Sequence, residues 1–270
     1  WTPLLERDAR QAGQLYVLDL GQGQNRLGGS ILAQVYEQIG NQCPDIDGDK
    51  GVEQLKGFWN ALQEMHNKGI VKAYHDRSDG GAIVALLEMA FASRCGLDID
   101  IAPLLKDGAN FEDQLAALFA EEAGAVVQVV KGQEEAFMSI LAAHGVADIA
   151  KPIARVHQTA RIKIVAGEES LSQKPISYWL RLWAETSYRM QALRDNPECA
   201  RQEFDALLND KDPGMSPKVN FEIKPSTPAA QKPRIAILRE QGVNGQVEMG
   251  AAFTKAGFEA VDVHMTDLMT

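Results

Sequence analysis

A cluster of prolines close to the carboxyl end divides this chain into two parts. Between residues 209 and 233 the sequence has few large apolar residues but carries Asp212-Pro213-Gly214 and further prolines at 217, 225, 228 and 233. Proline fixes φ and lacks a backbone N–H, so such a stretch favours an extended linker over a helix or a central strand. Domains typically contain about 150 residues. The 270 residues therefore predict one full domain before the linker and a short unit after it.

Before the linker, short apolar stretches typical of strands alternate with stretches of helical periodicity. This pattern predicts an α/β fold, or α+β, built around a mixed sheet. The predicted strands cover residues 15–20, 70–74, 97–101, 125–130 and 161–165, and the main predicted helices cover 30–39, 82–91, 133–143 and 176–193.

The helix predicted at residues 30–39 has a defined apolar face. Ile31, Val35 and Ile39 recur every four residues, and Ser30 offers a hydroxyl that would cap the first turn. We therefore expect a helix from about Ser30 to Ile39 with these three residues packed on its apolar side.

After the linker the chain has the pattern of a single βαβ unit. A buried strand at 235–238 is followed by a loop at 242–245, a helix to Ala256 and a strand at 258–263. About 35 residues cannot cover both faces of two parallel strands. We expect this second domain to be truncated or to be completed by another chain.

Composition excludes several classes of function. Lys and Arg number 27 against 37 Asp and Glu, and the net charge of −10 argues against a nucleic-acid partner. No apolar run approaches 18 residues, so no membrane association is expected. Three widely spaced cysteines, with no C-x-x-C pair, predict reduced thiols and a cytoplasmic location. The chain starts at Trp1 rather than Met, so we expect it to be an internal segment.

The sharpest candidate site is the run His75-Asp76-Arg77-Ser78-Asp79-Gly80-Gly81, between a predicted strand and a predicted helix. Ligands of α/β folds bind at such junctions. Asp76 or Asp79 would be a hard oxygen ligand for Mg²⁺ held with substrate phosphates. The glycines would let the backbone approach a ligand, and the helix start would offer free N–H groups to an anion. Alternatively, the same residues form only a helix cap and a turn.

Two other motifs favour structural interpretations. The run Gly21–Ser30 matches a phosphate-binding P-loop at Gly23, Gly28 and Ser30, but Gly29 replaces the essential lysine. The default interpretation is a plain turn in a flexible loop that leads into a helix, and the alternative is an auxiliary phosphate or substrate contact. Glu121 and Glu122 are adjacent, which makes paired acid and base catalysis improbable and favours a solvated turn.

Together, several runs resemble those of the large, single-chain phosphoribosylformylglycinamidine synthase family. The resemblance extends over the whole chain and lies most specifically in Asp19-Leu20-Gly21, Leu27-Gly28, the run His75–Gly81, Leu118-Phe119-Ala120-Glu121-Glu122, Arg194-Asp195-Asn196-Pro197, and residues 236–244.

The resemblance implies three parts. Residues 1–195 would be a domain similar to the C-terminal domain of aminoimidazole ribonucleotide synthetase, 196–232 a linker, and 233–270 the start of a class I, flavodoxin-like glutamine amidotransferase domain. The amidotransferase catalytic Cys, His and Glu would lie beyond Thr270. This segment would then contain no catalytic residues and would be inactive alone.

The resemblance also implies a reaction and a site. The family is a ligase of purine biosynthesis that converts formylglycinamide ribonucleotide, ATP and glutamine to the amidine, ADP, phosphate and glutamate. Its second half carries an auxiliary Mg-nucleotide site, in which Asp76 resembles the Mg²⁺ ligand and Ser78 a contact to ATP or ADP. The remaining segments of the same enzyme are the implied partners.

A different class of function stays open on the residues alone. Trp179 and Trp183 lie one helical turn apart and could anchor a partner protein together with the proline-rich tail. The chain would then be a non-catalytic binding module.

Overall fold

The computed structural model describes residues 1–8, 10–40, 42–46, 48–209, 217–222, 224 and 231–269. The chain divides into two compact units, Trp1–Asp212 and Pro213–Thr270. Asp212-Pro213-Gly214, Pro225 and Pro228 of the predicted linker lie outside the described residues.

The first unit is built on a mixed seven-stranded sheet. Its strands are β1 (Ala12–Asp19), β2 (Val71–Asp76), β3 (Gly96–Asp100), β4 (Gly124–Val130), β5 (Ala150–His157), β6 (Arg161–Ala166) and β7 (Glu169–Pro175). They are arranged in the order β2-β4-β1-β5-β3-β6-β7. Only β3 and β6 pair in parallel; the other neighbours are antiparallel. The predicted mixed sheet is confirmed.

Helices cover both faces of this sheet. They are α1 (Ile31–Val35), α2 (Gly48–Lys68), α3 (Gly81–Ser93), α4 (Phe111–Phe119), α5 (Glu134–Ala143), α6 (Ile176–Arg194) and α7 (Pro197–Ala206). One core joins α3, α4 and α6 to Leu15 and Val17 of β1, while a second core joins α2 and α5 to Leu18. Successive residues of a strand point to opposite faces, so β1 is apolar on both sides.

The predicted helix from Ser30 to Ile39 is wrong in length and in its buried face. The Ser30 hydroxyl does accept a hydrogen bond from the backbone N–H of Ala33, as expected for a cap. The helix ends at Val35, however, because the chain turns through a left-handed conformation at Glu37, with φ of 56°. Val35 and Ile39 are each 71% exposed, so they do not form a buried side.

A further helix lies inside the segment that was predicted as linker. The Asn196 side chain accepts hydrogen bonds from the backbone of Glu198 and Cys199, and Pro197 occupies the first turn of α7. Asparagine at the cap and proline at the first position favour a helix start as well as a stop of the preceding helix. Because Phe204 of α7 stacks on Tyr188 of α6 at 4.3 Å, the first unit continues past residue 195.

The second unit contains β8 (Arg234–Arg239), α8 (Gln246–Lys255) and β9 (Glu259–His264), with the two strands parallel. The predicted βαβ pattern is confirmed. Among the described residues of this unit, Ile237 is the one fully buried apolar side chain, whereas Leu238 on the adjacent position of β8 is exposed. A βαβ unit of this size buries little apolar surface.

Candidate functional site

The predicted site residues lie at the carboxyl end of β2, an edge strand of the sheet. Asp76 ends the strand, and Ser78 and Asp79 form the turn into α3; all three side chains are exposed. The Tyr74 hydroxyl donates a hydrogen bond to Asp76 Oδ1 at 2.6 Å. Burial, together with this bond to a carboxylate, raises the pKa of Tyr74, so the phenol stays protonated and acts as the donor.

Arg77, between the two candidate residues, points in the opposite direction. Its guanidinium is fully buried and pairs with buried Asp19, with 2.9 Å between Nη1 and Oδ1. Its Nε donates to the carbonyl of Ala120 at 2.9 Å. Desolvation lowers the pKa of Arg77, and the carboxylates of Asp19 and Glu122 oppose that shift. The buried arginine therefore anchors the turn that presents Asp76 and Ser78 to solvent.

Asp19 connects this anchor to the loop at residues 21–30, which we call the glycine loop. Its Oδ1 also accepts from the backbone N–H of Gly21 at 3.1 Å, and its Oδ2 accepts from Gly23 at 2.8 Å. A carboxylate that receives backbone N–H groups in the protein interior fixes the conformation of the loop that supplies them. The predicted turn is present at residues 20–23, and the Asp19 carboxylate holds it through these two hydrogen bonds.

The interpretation of the two glutamates as a solvated turn is wrong for Glu122. Glu122 is buried and forms a two-pronged ion pair with Arg26, at 2.9 Å for both Oε1 to Nε and Oε2 to Nη2. Arg26 Nη2 also donates to the carbonyl of Asp45 at 2.7 Å. A bidentate arginine–carboxylate pair is strong and geometrically specific. Glu122 thus holds the glycine loop at Arg26.

The α3 start differs from the predicted ligand cradle in two respects. The backbone N–H of Gly80 is not available to an external anion, because it donates to Glu121 Oε1 at 2.8 Å. Gly81, at φ of 72°, allows close approach of protein backbone: a Cβ there would lie 2.7 Å from the Leu118 carbonyl oxygen. The glycine is needed for packing of the turn against residues 118–120.

The side chains at this turn do not form a complete metal site by themselves. No group of three or more His, Cys, Asp or Glu side chains able to hold a metal occurs among the described residues. The turn offers the exposed carboxylates of Asp76 and Asp79 and the exposed Ser78 hydroxyl. Such a set does not make a protein cage for a metal, but it fits Mg²⁺, which keeps most of its waters and is held mainly by phosphate oxygens.

The aromatic helix proposed as a partner anchor is engaged within its own domain. Trp179 packs against the main core, and Trp183 donates through Nε1 to Glu88 at 3.0 Å and lies beside Phe91. Trp183 keeps 56% of its surface exposed. Trp179 thus serves the core of this unit, whereas Trp183 combines an internal hydrogen bond with a largely exposed ring.

Sequence reasoning missed the two buried ion pairs. A pattern of apolar residues contains no information about which distant carboxylate a buried arginine will meet. One signal was present, since Asp19 directly follows the apolar strand residues Val17 and Leu18. A charged residue that continues a buried strand requires a partner.

No described helix has the length and apolarity needed to cross a bilayer.

Family comparison gives two matches, in the order that the resemblance predicts. Residues 232–270 match the CobB/CobQ-like glutamine amidotransferase domain. Residues 15–167 match the AIR synthase related protein, C-terminal domain. The expected succession of a synthetase C-terminal-like domain and the start of an amidotransferase domain is confirmed.

Solved structures show similarity at low sequence identity. Thermotoga maritima PurL complexed with ADP aligns with a TM-score of 0.46 and 16% identity, over 64% of this chain and 26% of that one. The same protein complexed with ATP aligns at 0.45 and 15%, with the same coverage. HypE of E. coli, a hydrogenase maturation protein, aligns at 0.42 and 24%, over 61% of this chain and 49% of that one.

The matched part of the chain thus spans about a quarter of the length of the PurL structures. More than half of the chain lies within the first family match. The chain belongs to the family of AIR synthase related proteins, and it carries their C-terminal domain.

Proposed function

We propose that this chain is a segment of a glutamine-dependent phosphoribosylformylglycinamidine synthase, a ligase of purine biosynthesis. The observation that carries the proposal is the presence, in order on one chain, of the synthase-related C-terminal domain and the glutamine amidotransferase match. Such a ligase uses ATP to join ammonia from glutamine to formylglycinamide ribonucleotide. The segment connects the parts that carry out these two reactions.

Within this enzyme, the segment contributes one wall of an auxiliary Mg-nucleotide site. Asp76 Oδ1 is occupied by the Tyr74 hydroxyl, while Oδ2 accepts no hydrogen bond from the described residues and can bind the cation. The exposed Ser78 hydroxyl donates a long hydrogen bond to the Asp76 carbonyl at 3.4 Å, and by rotating it can donate to a phosphate oxygen instead. When bound, Mg²⁺ neutralises phosphate charge.

The proposed site does not depend on a helix start that is open to anions, because the turn itself is held in place by buried contacts. Arg77 ties the backbone between Asp76 and Ser78 to the core through Asp19. Two neighbouring side chains that face solvent on either side of a buried anchor keep a fixed spacing. Preorganisation of this kind reduces the entropy lost on binding.

Titration of Mg-ADP into the complete synthase tests this site. Asp76→Asn removes the charge that binds Mg²⁺ and should weaken Mg-ADP binding by about tenfold or more, in line with the loss of a charged ligand. Ser78→Ala should weaken it less, because it removes one neutral donor. Asp107→Asn, which changes an exposed aspartate before α4, is the matched charge control.

All three substituted side chains are exposed, so the thermal unfolding midpoint should not change. Affinity for Mg-ADP that is the same in Asp76→Asn and in the control would contradict the ligand role of Asp76.

A further inference from the structure

Glu121 forms a bridge between the starts of two helices. A single carboxylate oxygen, Oε1, accepts from the backbone N–H of Gly80 at 2.8 Å and from that of Ile31 at 2.9 Å. Gly80 directly precedes α3, and Ile31 is the first residue of α1. The two amides come from segments that are distant in the sequence, so this carboxylate joins the candidate site to the start of α1.

The Glu121 carboxylate provides a hydrogen-bond acceptor for a backbone N–H at the start of each helix. The first N–H groups of a helix have no partner within the helix and carry partial positive charge. A carboxylate accepting from two of them makes charge-assisted hydrogen bonds, which are stronger than neutral ones. The side chain of Glu121 is half-buried, so these bonds are partly shielded from water.

The bond to Gly80 acts directly on the turn that carries Ser78. Gly80 has a left-handed backbone with φ of 82°, and the N–H of Gly81 donates to the Ser78 carbonyl at 2.9 Å. Arg77 fixes the β2 end of this turn, and Glu121 fixes its α3 end. With both ends held, Asp76 and Ser78 keep one relative position.

We propose that Glu121 is a positioning residue for the Mg-nucleotide site. The inference depends on the function proposed above. Glu121 makes no contact with metal or nucleotide in this role; it acts through the backbone of Gly80 and sets where the Ser78 hydroxyl stands relative to the Asp76 carboxylate.

The test compares Glu121→Ala with Glu121→Gln in the complete synthase, with Glu135→Ala, an exposed glutamate of α5, as the matched control. Two quantities are measured: affinity for Mg-ADP and hydrogen exchange of the peptide that contains residues 78–81. Glu121→Ala should weaken Mg-ADP binding by about tenfold and accelerate exchange, since two charge-assisted hydrogen bonds are lost. Glu121→Gln keeps an oxygen acceptor and should recover most of the affinity.

Formate provides a second readout. In Glu121→Ala it can occupy the vacated position between the two N–H groups and should partly restore Mg-ADP binding, with no effect on the wild type. Unchanged affinity in Glu121→Ala, with normal binding by the wild type, would overturn the positioning role. So would equal weakening by Ala and Gln accompanied by a lower unfolding temperature, because that result indicates a general loss of structure.

The two proposals fail in different ways. A wild-type synthase that binds no Mg-ADP refutes the proposed site and with it the role of Glu121 there. A wild type that binds Mg-ADP through Asp76, but independently of Glu121, refutes only the positioning role.

Discussion

Arg77→Ala is expected to lower the free energy of unfolding of the Trp1–Asp212 unit by about 3–5 kcal/mol, the cost of breaking a buried ion pair. The side chains of Arg77 and Asp19 are 0% and 1% exposed, so the remaining carboxylate would stay buried without its partner. The substitution also removes the hydrogen bond from Arg77 Nε to the Ala120 carbonyl. Urea unfolding measured by tryptophan fluorescence gives the change.

Two comparison variants separate the effect of losing a buried ion pair from the effect of removing an arginine charge. Arg189→Ala removes an arginine that is 73% exposed and paired with Glu185, and should change stability by about 0.5 kcal/mol or less. Adding Asp19→Asn to Arg77→Ala should recover part of the loss, because it removes the unpaired charge. A loss below about 1 kcal/mol for Arg77→Ala would show that the pair does not anchor the turn.

Gly81→Ala is the second substitution with a large expected effect. The residue has φ of 72°, and a Cβ would lie 2.7 Å from the Leu118 oxygen and 2.8 Å from the Ala120 oxygen. These are backbone atoms, which cannot move away as a flexible side chain can. Adding the left-handed strain of about 1–3 kcal/mol to an overpacking cost of about 1–3 kcal/mol, we expect destabilisation of about 4 kcal/mol.

Gly132→Ala is the matched control for this prediction. Gly132 has a similar φ of 82°, but no heavy atom lies within 4 Å of the added Cβ. It should therefore show only the left-handed strain, about 1–3 kcal/mol. The same urea titration applies to both variants. Equal destabilisation by the two alanines would contradict the close packing of Gly81 against residues 118–120.

Elements with a strong apolar pattern could be predicted from the sequence, because a segment buried on nearly all sides forms a continuous apolar run. β4 and α3 are examples, since nearly every residue of either is buried. β5 could not be predicted in this way. Pro152 lies within it, opposite Tyr16 and next to a register shift in the pairing with β1. Proline disfavours a strand except at such irregularities.

The location of the candidate site could be predicted from the sequence, but the buried contacts that hold it in place could not. Asp76 and Ser78 lie at the strand-to-helix junction that the sequence predicts, and their ligand roles stay predictions. The anchoring contacts of Arg77 and Glu121 join residues 58 and 41 positions apart. Tertiary pairings of this kind have no local period, so sequence patterns do not specify them.

The position of a bound divalent ion tests the central claim most directly. Mn²⁺ can replace Mg²⁺ and is located by its anomalous X-ray scattering. In crystals of the complete synthase with Mn-ADP, we predict an anomalous peak about 2.1 Å from a carboxylate oxygen of Asp76, with the nucleotide phosphates beside the Ser78 hydroxyl. A bound Mn-ADP whose metal takes no ligand from Asp76 would contradict this account.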